Sequence, residues 1–199
     1  MKVIDAEKKA ELLSCNPFKQ TVGIAKFVQG KEELAVLASA ESSKVEVWNL
    51  QKASCVYSID CHRDVVTDIS FTPLESYMMV SSRDGSYSFH DLNSFVKLNQ
   101  FFEEEAITQT QIHPDGLIMA IGLQSGKVKI LDIRDMKVAF ALDSPQDGCA
   151  VTSMAFSNKG VYLAVTWQNY SQCRVYSLHK ECEYTSLDVK TAPSSIQFD

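Results

Sequence analysis

Cysteine and histidine are the residues of this 199-residue chain that could hold a metal ion or provide a reactive thiol. They are dispersed along the sequence: Cys15, Cys55, Cys61, Cys149, Cys173 and Cys182, with His62, His90, His113 and His179. No two cysteines have the Cys-X-X-Cys spacing that is common in zinc sites. The pattern predicts small buried thiols in a reducing compartment and no metal site; the alternative is a zinc site whose ligands only the fold brings together.

Hydroxyl and carboxyl groups lie close together in the sequence at one place. Ser81 and Ser82 precede Asp84 and could be interpreted as a nucleophile and its partner, but a tight hairpin explains all three residues. The sequence has no Gly-X-Ser-X-Gly, no His-Glu-X-X-His and no phosphate-binding glycine loop. We therefore predict no catalytic residues and no cofactor in this chain.

The acidic run at residues 103–105 is three consecutive glutamates. It could bind a basic peptide, but a solvated loop accounts for it, and the solvated loop is our prediction.

Overall charge and hydropathy exclude two classes of partner. The net charge is −6, whereas unaided nucleic-acid binding needs clustered lysine and arginine. Apolar runs such as Ile118–Leu123 have the length of a strand and fall far short of the roughly 20 residues that span a membrane. We predict no direct nucleic-acid contact and no membrane segment.

A short strand followed by a polar turn residue recurs along the chain. The turn residues are Asp5, Asn49, Asp91, Asp132 and Ser177, at steps of 44, 42, 41 and 45 residues. A second marker, the last apolar residue of another strand, occurs at positions 27, 71, 112, 156 and 198, at steps of 44, 41, 44 and 42. Two markers with one period just above 40 predict four-stranded propeller blades.

Turn residues divide each period into strands that we label a to d. The Asp84-Gly85 pair predicts a tight hairpin between strands b and c. Strand b is apolar at nearly every position in residues 34–39, which predicts a sheet covered on both faces. The polar residue after strand c is expected to accept hydrogen bonds from the backbone of the c–d turn, and the large residue before it to pack between blades.

These repeats resemble WD40 repeats, which are named for a Trp-Asp pair at the end of strand c. Trp48-Asn49 keeps the tryptophan, and Asp91 and Asp132 keep the acid. The Gly-His that usually precedes strand a is matched by Cys61-His62, and the acid of the b–c turn by Asp84. The resemblance implies a structural hydrogen bond between His62 and Asp84.

Runs of residues at three places are similar to the pre-mRNA-processing factor nineteen family. They begin at Lys52, Ile112 and Val151, in the order and spacing of that family, and together they cover nearly the whole chain. The family implies a nuclear splicing factor with a U-box that recruits a ubiquitin-conjugating enzyme, a tetramerising coiled coil and a seven-bladed propeller that binds partners. U-box and coiled-coil patterns are not found in this sequence, so no ligase chemistry is carried onto its residues.

The predicted fold is all-β: a WD40 β-propeller with four complete blades and two partial ones, part of a seven-bladed ring. The blades are expected at about 21–59, 65–99, 108–142 and 151–187, with partial blades at 1–15 and 194–199. We therefore expect a piece of a longer chain or a degenerate gene product. We also expect such an open arc to associate with itself and, alone, to transfer no ubiquitin.

Two functions agree with this fold. The first is a nuclear scaffold that binds splicing-complex subunits and ubiquitination substrates. The second is an unrelated WD40 adaptor or ligand-binding propeller, such as a cullin-ligase substrate receptor, because Asp132-Ile133-Arg134 resembles the end of a Trp-Asp-X-Arg motif without its tryptophan.

Overall fold

The computed structural model describes residues 2–5, 10–14, 20–28, 30–31, 33–73, 76–190, 193 and 195–198. Within these ranges the chain forms β-strands and turns, without a helix. The strands are β1 Lys2–Asp5, β2 Ala10–Ser14, β3 Val22–Phe27, β4 Leu34–Ser39, β5 Val45–Asn49, β6 Ser54–Ile59, β7 Val66–Phe71, β8 Tyr77–Ser82, β9 Ser86–Asp91, β10 Val96–Phe102, β11 Ile107–Ile112, β12 Ile118–Leu123, β13 Val128–Asp132, β14 Val138–Leu142, β15 Val151–Phe156, β16 Tyr162–Trp167, β17 Gln172–Ser177 and β18 Cys182–Asp188.

Strands β3 to β18 form four antiparallel sheets of four strands, each in sequence order. We call them the first to fourth blades and keep the letters a to d for the strands within a blade. The all-β propeller architecture predicted from the two 40-residue markers is thus confirmed. Strands β1 and β2 pair antiparallel, within the range of the partial blade expected at 1–15.

Each blade shares its core with the next blade. In β8, Met78 and Val80 pack with the first blade, whereas Met79 on the opposite side packs with the third. All six residues of β4 are buried, as the apolar pattern of strand b predicted. Neighbouring blades therefore bury each other's faces.

Alternating strand direction places the turns on two opposite faces. Turns between a and b and between c and d lie together on what we call the a–b/c–d face, at residues 50–53, 72–73, 92–95, 113–117, 133–137, 157–161 and 178–181. The b–c turns and the d–a connections lie at the other end, the b–c/d–a face.

Glycines with a positive φ form the b–c turns of the second and third blades. Gly85 has φ +81° and its position leaves no room for a side chain, because a Cβ would lie 2.9 Å from the carbonyl oxygens of Glu103 and Glu105. The predicted Asp-Gly hairpin is therefore also the point where the second blade meets its own d–a connection.

Two expectations about strands and burial differ from the structure. Residues 195–198 form no strand, although strand a was expected over 194–198; the backbone N–H of Ile196 instead donates to the Ser153 hydroxyl at 3.2 Å. The prediction of buried thiols is wrong for Cys55 and Cys182, which are exposed because they lie on outer strands d. Cys15, Ser194 and Asp199 lie outside the described residues.

Candidate functional site

The polar residues that end strands c organise the c–d turns. The Asn49 side-chain oxygen accepts the N–H of Lys52 at 2.8 Å, and Asp91 Oδ1 accepts the N–H of Asn93 at 2.6 Å. Asp132 Oδ1 accepts the N–H of Arg134 at 2.9 Å. This is the backbone capping that the sequence predicted for the position, and it is a structural role.

The same turns share a left-handed residue that the sequence analysis missed. Four residues after the capping position stand Ala53, Phe95, Met136 and Glu181, with φ between 51° and 57°. Since none of them is glycine, the conformation is imposed by the capped turn and by the bulge that follows it in strand d. Residue type gives no signal here; only the fixed spacing from the acid could have found it.

Asp132 and Arg134 form an exposed ion pair at the third c–d turn. Arg134 Nε donates to Asp132 Oδ1 at 3.0 Å, and Nη2 donates to Oδ2. Hydrogen bonds from the Arg134 guanidinium and backbone N–H lower the pKa of Asp132 to about 2. The Arg134 side chain is 71% exposed on the a–b/c–d face, and its positive charge is balanced there by Asp132.

The residues before the capping positions differ in burial. Leu131 and Tyr176 are buried between blades, as predicted. Trp48 is only half-buried, and its indole N–H donates to Glu46 Oε2 at 2.7 Å within the same strand. The most WD-like repeat thus has a tryptophan that is not part of the core.

His62 and Asp84 do not bond directly, contrary to the expectation. The Ser86 hydroxyl lies between them: it donates to Asp84 Oδ1 at 2.5 Å and lies 2.6 Å from His62 Nδ1. Ser86, at the start of strand c, thus occupies the position next to the His62 imidazole that a directly bonded Asp84 carboxylate would need. Asp84 instead accepts the backbone N–H of Arg63 at 2.6 Å and thereby fixes the loop before strand a.

This contact is one end of a buried chain of hydrogen bonds between the first two blades. Ser88 Oγ lies 2.9 Å from His62 Nε2 and 2.8 Å from His90 Nε2, and the Tyr57 hydroxyl lies 3.0 Å from His90 Nδ1. The carboxylate of Asp84 can only accept a hydrogen bond, so the Ser86 hydroxyl is its donor. This fixes the donor in each of the other bonds of the chain. Tyr57 donates to His90, His90 to Ser88, Ser88 to His62, and His62 to Ser86.

His62 and His90, the two histidines of this hydrogen-bond chain, are neutral in that arrangement. His62 carries its proton on Nδ1 and His90 on Nε2, because the other ring nitrogen accepts a hydroxyl proton. Burial lowers the pKa of His62, and burial, reinforced by His62 and Lys97, lowers that of His90 to about 4. Ser86, Ser88, His90 and Tyr57 were missed, although polar residues at alternate positions of a buried strand were a usable signal.

The other candidate chemical groups serve the contacts between strands and blades. Ser81 and Ser82 are buried, and the Ser82 hydroxyl donates to the Asp64 carbonyl at 3.0 Å. Glu103 accepts from Lys129 Nζ at 2.6 Å, and Glu105 accepts the Ser125 N–H at 2.8 Å. The prediction of a solvated acidic loop is therefore wrong for Glu103 and Glu105, which bind the third blade.

The described residues include neither a metal-binding cluster nor a membrane-spanning helix. No cluster of three or more histidine, cysteine, aspartate or glutamate side chains has a geometry that could hold a metal ion. In the same part of the chain, no helix has the length and apolar character needed to cross a membrane.

Large apolar side chains are exposed mainly near the a–b/c–d face. Phe27, Tyr77 and Leu117 stand at the a–b turns of three consecutive blades, and Phe27 is 59% exposed. Val96, Leu98 and Val138 lie at or near the starts of strands d, toward the same face. At the b–c/d–a end of the described strands, Phe102 and Leu187 are comparable cases, so the exposed apolar side chains are fewer there. This asymmetry marks the a–b/c–d face as the candidate functional surface.

The inner wall of strands a is more polar. A cavity of about 660 Å³ opens there between the third and fourth blades. Its lining includes Lys26, Gln111 and Asn158. Lys26 Nζ is already used by Asp68 Oδ1 at 2.9 Å and the Ile69 carbonyl at 2.6 Å, so the ammonium links the first two blades rather than a ligand.

Comparison with known proteins confirms the resemblance described above. The chain is 29% identical over 174 residues to pre-mRNA-processing factor 19 of Dictyostelium discoideum, covering 83% of this chain and 32% of that protein. It is 29% identical over 180 residues to pre-mRNA-processing factor 19 homolog 2 of Arabidopsis thaliana, covering 87% and 33%. It is 24% identical over 136 residues to transducin beta-like protein 3 of Rattus norvegicus, covering 68% and 17%.

The chain thus spans about a third of the length of the splicing-factor relatives. A family model described as nucleolar protein 10-like, N-terminal domain, matches residues 13–198, which includes all four complete blades. The chain belongs to the nucleolar protein 10-like N-terminal β-propeller family.

Proposed function

We propose that this chain is a protein-interaction scaffold of nuclear pre-mRNA processing, with partner proteins bound on the a–b/c–d face. The concentration of exposed apolar side chains on that face is the observation that carries the proposal, because such patches are typical of binding surfaces. Two relatives named as pre-mRNA-processing factors support the choice of cellular process, and the nuclear location is proposed together with that process.

Rigidity of the propeller supports the same function. Side chains of one blade bond the next across each junction, as in Tyr57 to His90 and Lys129 to Glu103. A surface built on such fixed blades presents its turns with little loss of conformational entropy on binding. In a complex with a ubiquitin ligase, the proposed role of this chain is to hold the protein that becomes modified, with no ligase chemistry of its own.

The test is recovery of proteins from nuclear extract on the immobilised chain, followed by mass spectrometry. We expect pre-mRNA-processing proteins to be retained by the wild type and lost with the double variant Tyr77→Ser/Leu117→Ser. Phe102→Ser is the matched control, because it removes a still more exposed apolar group from the opposite face. Circular dichroism of all three proteins establishes that they are folded.

Three outcomes contradict the proposal. Recovery that is equal with the double variant would exclude the a–b/c–d face. A wild-type chain that retains no pre-mRNA-processing protein would exclude the process. Retention of a cullin-ligase adaptor, with loss after Arg134→Ala, would favour the substrate-receptor alternative.

A further inference from the structure

An apolar groove separates the second and third blades on the a–b/c–d face. Its volume is about 430 Å³, within the range of roughly 300–1,000 Å³ for ligand pockets. Phe89 and Phe101 line it, with ring centroids 6.4 Å apart and planes nearly perpendicular. Leu98 and Tyr77 line it from the second blade, and Met136 from the third. The groove is thus lined by two different blades.

This groove continues into a second hollow. Thr72 and Tyr77 line both, and the second, of about 220 Å³, is lined further by Pro73 and Asp115. The two hollows therefore adjoin along the a–b turn of the second blade. Together they form one cleft, which we call the blade 2–3 cleft.

Its apolar part is open to solvent. Tyr77 is 43% exposed and Leu98 47% exposed, although both adjoin the well-packed aromatic rings of Phe89 and Phe101. Removing such apolar surface from water is favourable. A bulky apolar side chain of a partner would remove these groups from water together.

Charges beside the cleft leave one carboxylate in excess. Arg134 is bonded to Asp132, and Lys137 Nζ lies 3.1 Å from Asp135 Oδ2. Asp115 is about half exposed, and its nearest ionisable neighbour is the imidazole of His113, with Nδ1 2.7 Å from Oδ1. Among the described residues no lysine or arginine lies within ion-pair distance of Asp115, so a lysine or arginine of a partner complements this carboxylate, and an acidic residue is repelled.

We propose that the blade 2–3 cleft binds an extended segment of a partner protein that carries one bulky aliphatic or aromatic side chain and a nearby lysine or arginine. The apolar side chain enters between Leu98, Phe101 and Met136, and the basic side chain reaches Asp115. This proposal rests on the proposed scaffold function and adds to it a binding site and a class of partner sequence.

The experiment uses a displayed library of random peptides, selected on the immobilised full chain and counter-selected on its Leu98→Ser variant. Synthetic peptides of the enriched sequences are then measured by fluorescence polarisation. We expect enrichment of a bulky apolar residue with lysine or arginine nearby. Affinity is expected to fall by about tenfold or more with Leu98→Ser and by about threefold with Asp115→Asn.

Matched controls are available in the chain. Val138→Ser removes an apolar group of similar exposure outside the cleft, and Asp143→Asn removes an exposed carboxylate on the opposite face. Both are expected to leave peptide affinity unchanged. Asp115→Asn keeps the side-chain oxygen that accepts the Leu117 N–H at 2.7 Å, so the turn is retained.

Three results would overturn the proposal. Acidic peptides could be enriched, no peptide could distinguish the wild type from Leu98→Ser, or the control variants could lose as much peptide affinity as Leu98→Ser. A dimer that Leu98→Ser dissolves in light scattering would also overturn it, since the cleft would then bind a second copy. Recovery from nuclear extract distinguishes a failure of the cleft proposal from a failure of the scaffold function. If Leu98→Ser retains the same proteins as the wild type, the scaffold function stands and only the cleft proposal is wrong.

Discussion

The buried hydrogen-bond chain between the first two blades should make the stability of this protein depend on pH. His90 is 1% exposed and accepts the Tyr57 hydroxyl proton, so its neutral form belongs to the folded state. Its folded pKa of about 4 compares with an ordinary histidine value of 6.5. The perturbation is acidification, and the variant that isolates it is His90→Gln, which keeps a polar side chain but does not titrate.

The sign follows from proton uptake. Between pH 6.5 and pH 4 the unfolded chain binds a proton at this histidine and the folded chain does not, so the free energy of unfolding falls as the pH is lowered. Once the pH is below 4, the free energy of unfolding has fallen by about 3 kcal/mol through this histidine. About 2 kcal/mol of that loss has occurred by about pH 5. His62, whose pKa is also lowered, adds to the loss in the same direction.

Urea unfolding followed by circular dichroism, at about pH 7.5 and about pH 5, measures this loss. His90→Gln should remove about 2 kcal/mol of the difference between the two pH values, whatever its own stability. The matched control is His179→Gln, since His179 is exposed in the fourth c–d turn and makes no contact with the buried hydrogen-bond chain. Aspartates with lowered pKa values, such as Asp84, titrate below this range and contribute little. An equal pH dependence in wild type and His90→Gln would refute the assignment of a neutral, donor-ordered chain.

Three further substitutions test contacts across the blade junctions. Trp167→Phe removes the indole N–H that donates to the buried Gly126 carbonyl at 2.7 Å, so the free energy of unfolding in urea should fall by about 1–3 kcal/mol. Trp48→Phe is the control and should lower it less. Equal losses would contradict the role of the bond. Gly126→Ala, at φ +88° and against the Cys149 carbonyl, should lower the melting temperature well beyond Gly148→Ala, which has φ +75° and open space around it; similar shifts would show that sterics are not the cause. Lys129→Met leaves the Glu103 carboxylate, 10% exposed, without its ammonium and should cost about 1–3 kcal/mol, and adding Glu103→Gln should recover part of it; a double variant no better than the single one would argue against the ion pair.

Periodicity made most of the fold predictable from the sequence. The capping acids and the strand-a ends recur at fixed steps because every blade has the same four strands and the same two turn faces. The sequence predicts a turn-capping role for Asp91 and Asp132, since that role depends only on neighbours two or three residues away. Local rules of this kind can be read along the chain.

Contacts between blades were less predictable because they join residues far apart in sequence. Tyr57 and His90 are 33 residues apart, and neither has a pattern that names the other as its partner. Glu103 was expected in solvent, since nothing local indicates that Lys129 reaches it. Cys55 and Cys182 were expected to be buried because the pattern of an outer strand d resembles that of a covered strand. Membership of the nucleolar protein 10-like family was also missed, because many propellers share this repeat.

The shared cores described above have a consequence for synthesis on the ribosome. When the second blade has left the exit tunnel, Met79 faces water until the third blade, about 40 residues later, has followed. At about 5–20 residues per second, that face waits for roughly 2–8 seconds. Each blade except the last to emerge passes through such an interval, in which a chaperone competes with the next part of the same chain. Limited proteolysis of ribosome-arrested chains would show protection of each blade beginning only after its successor has emerged.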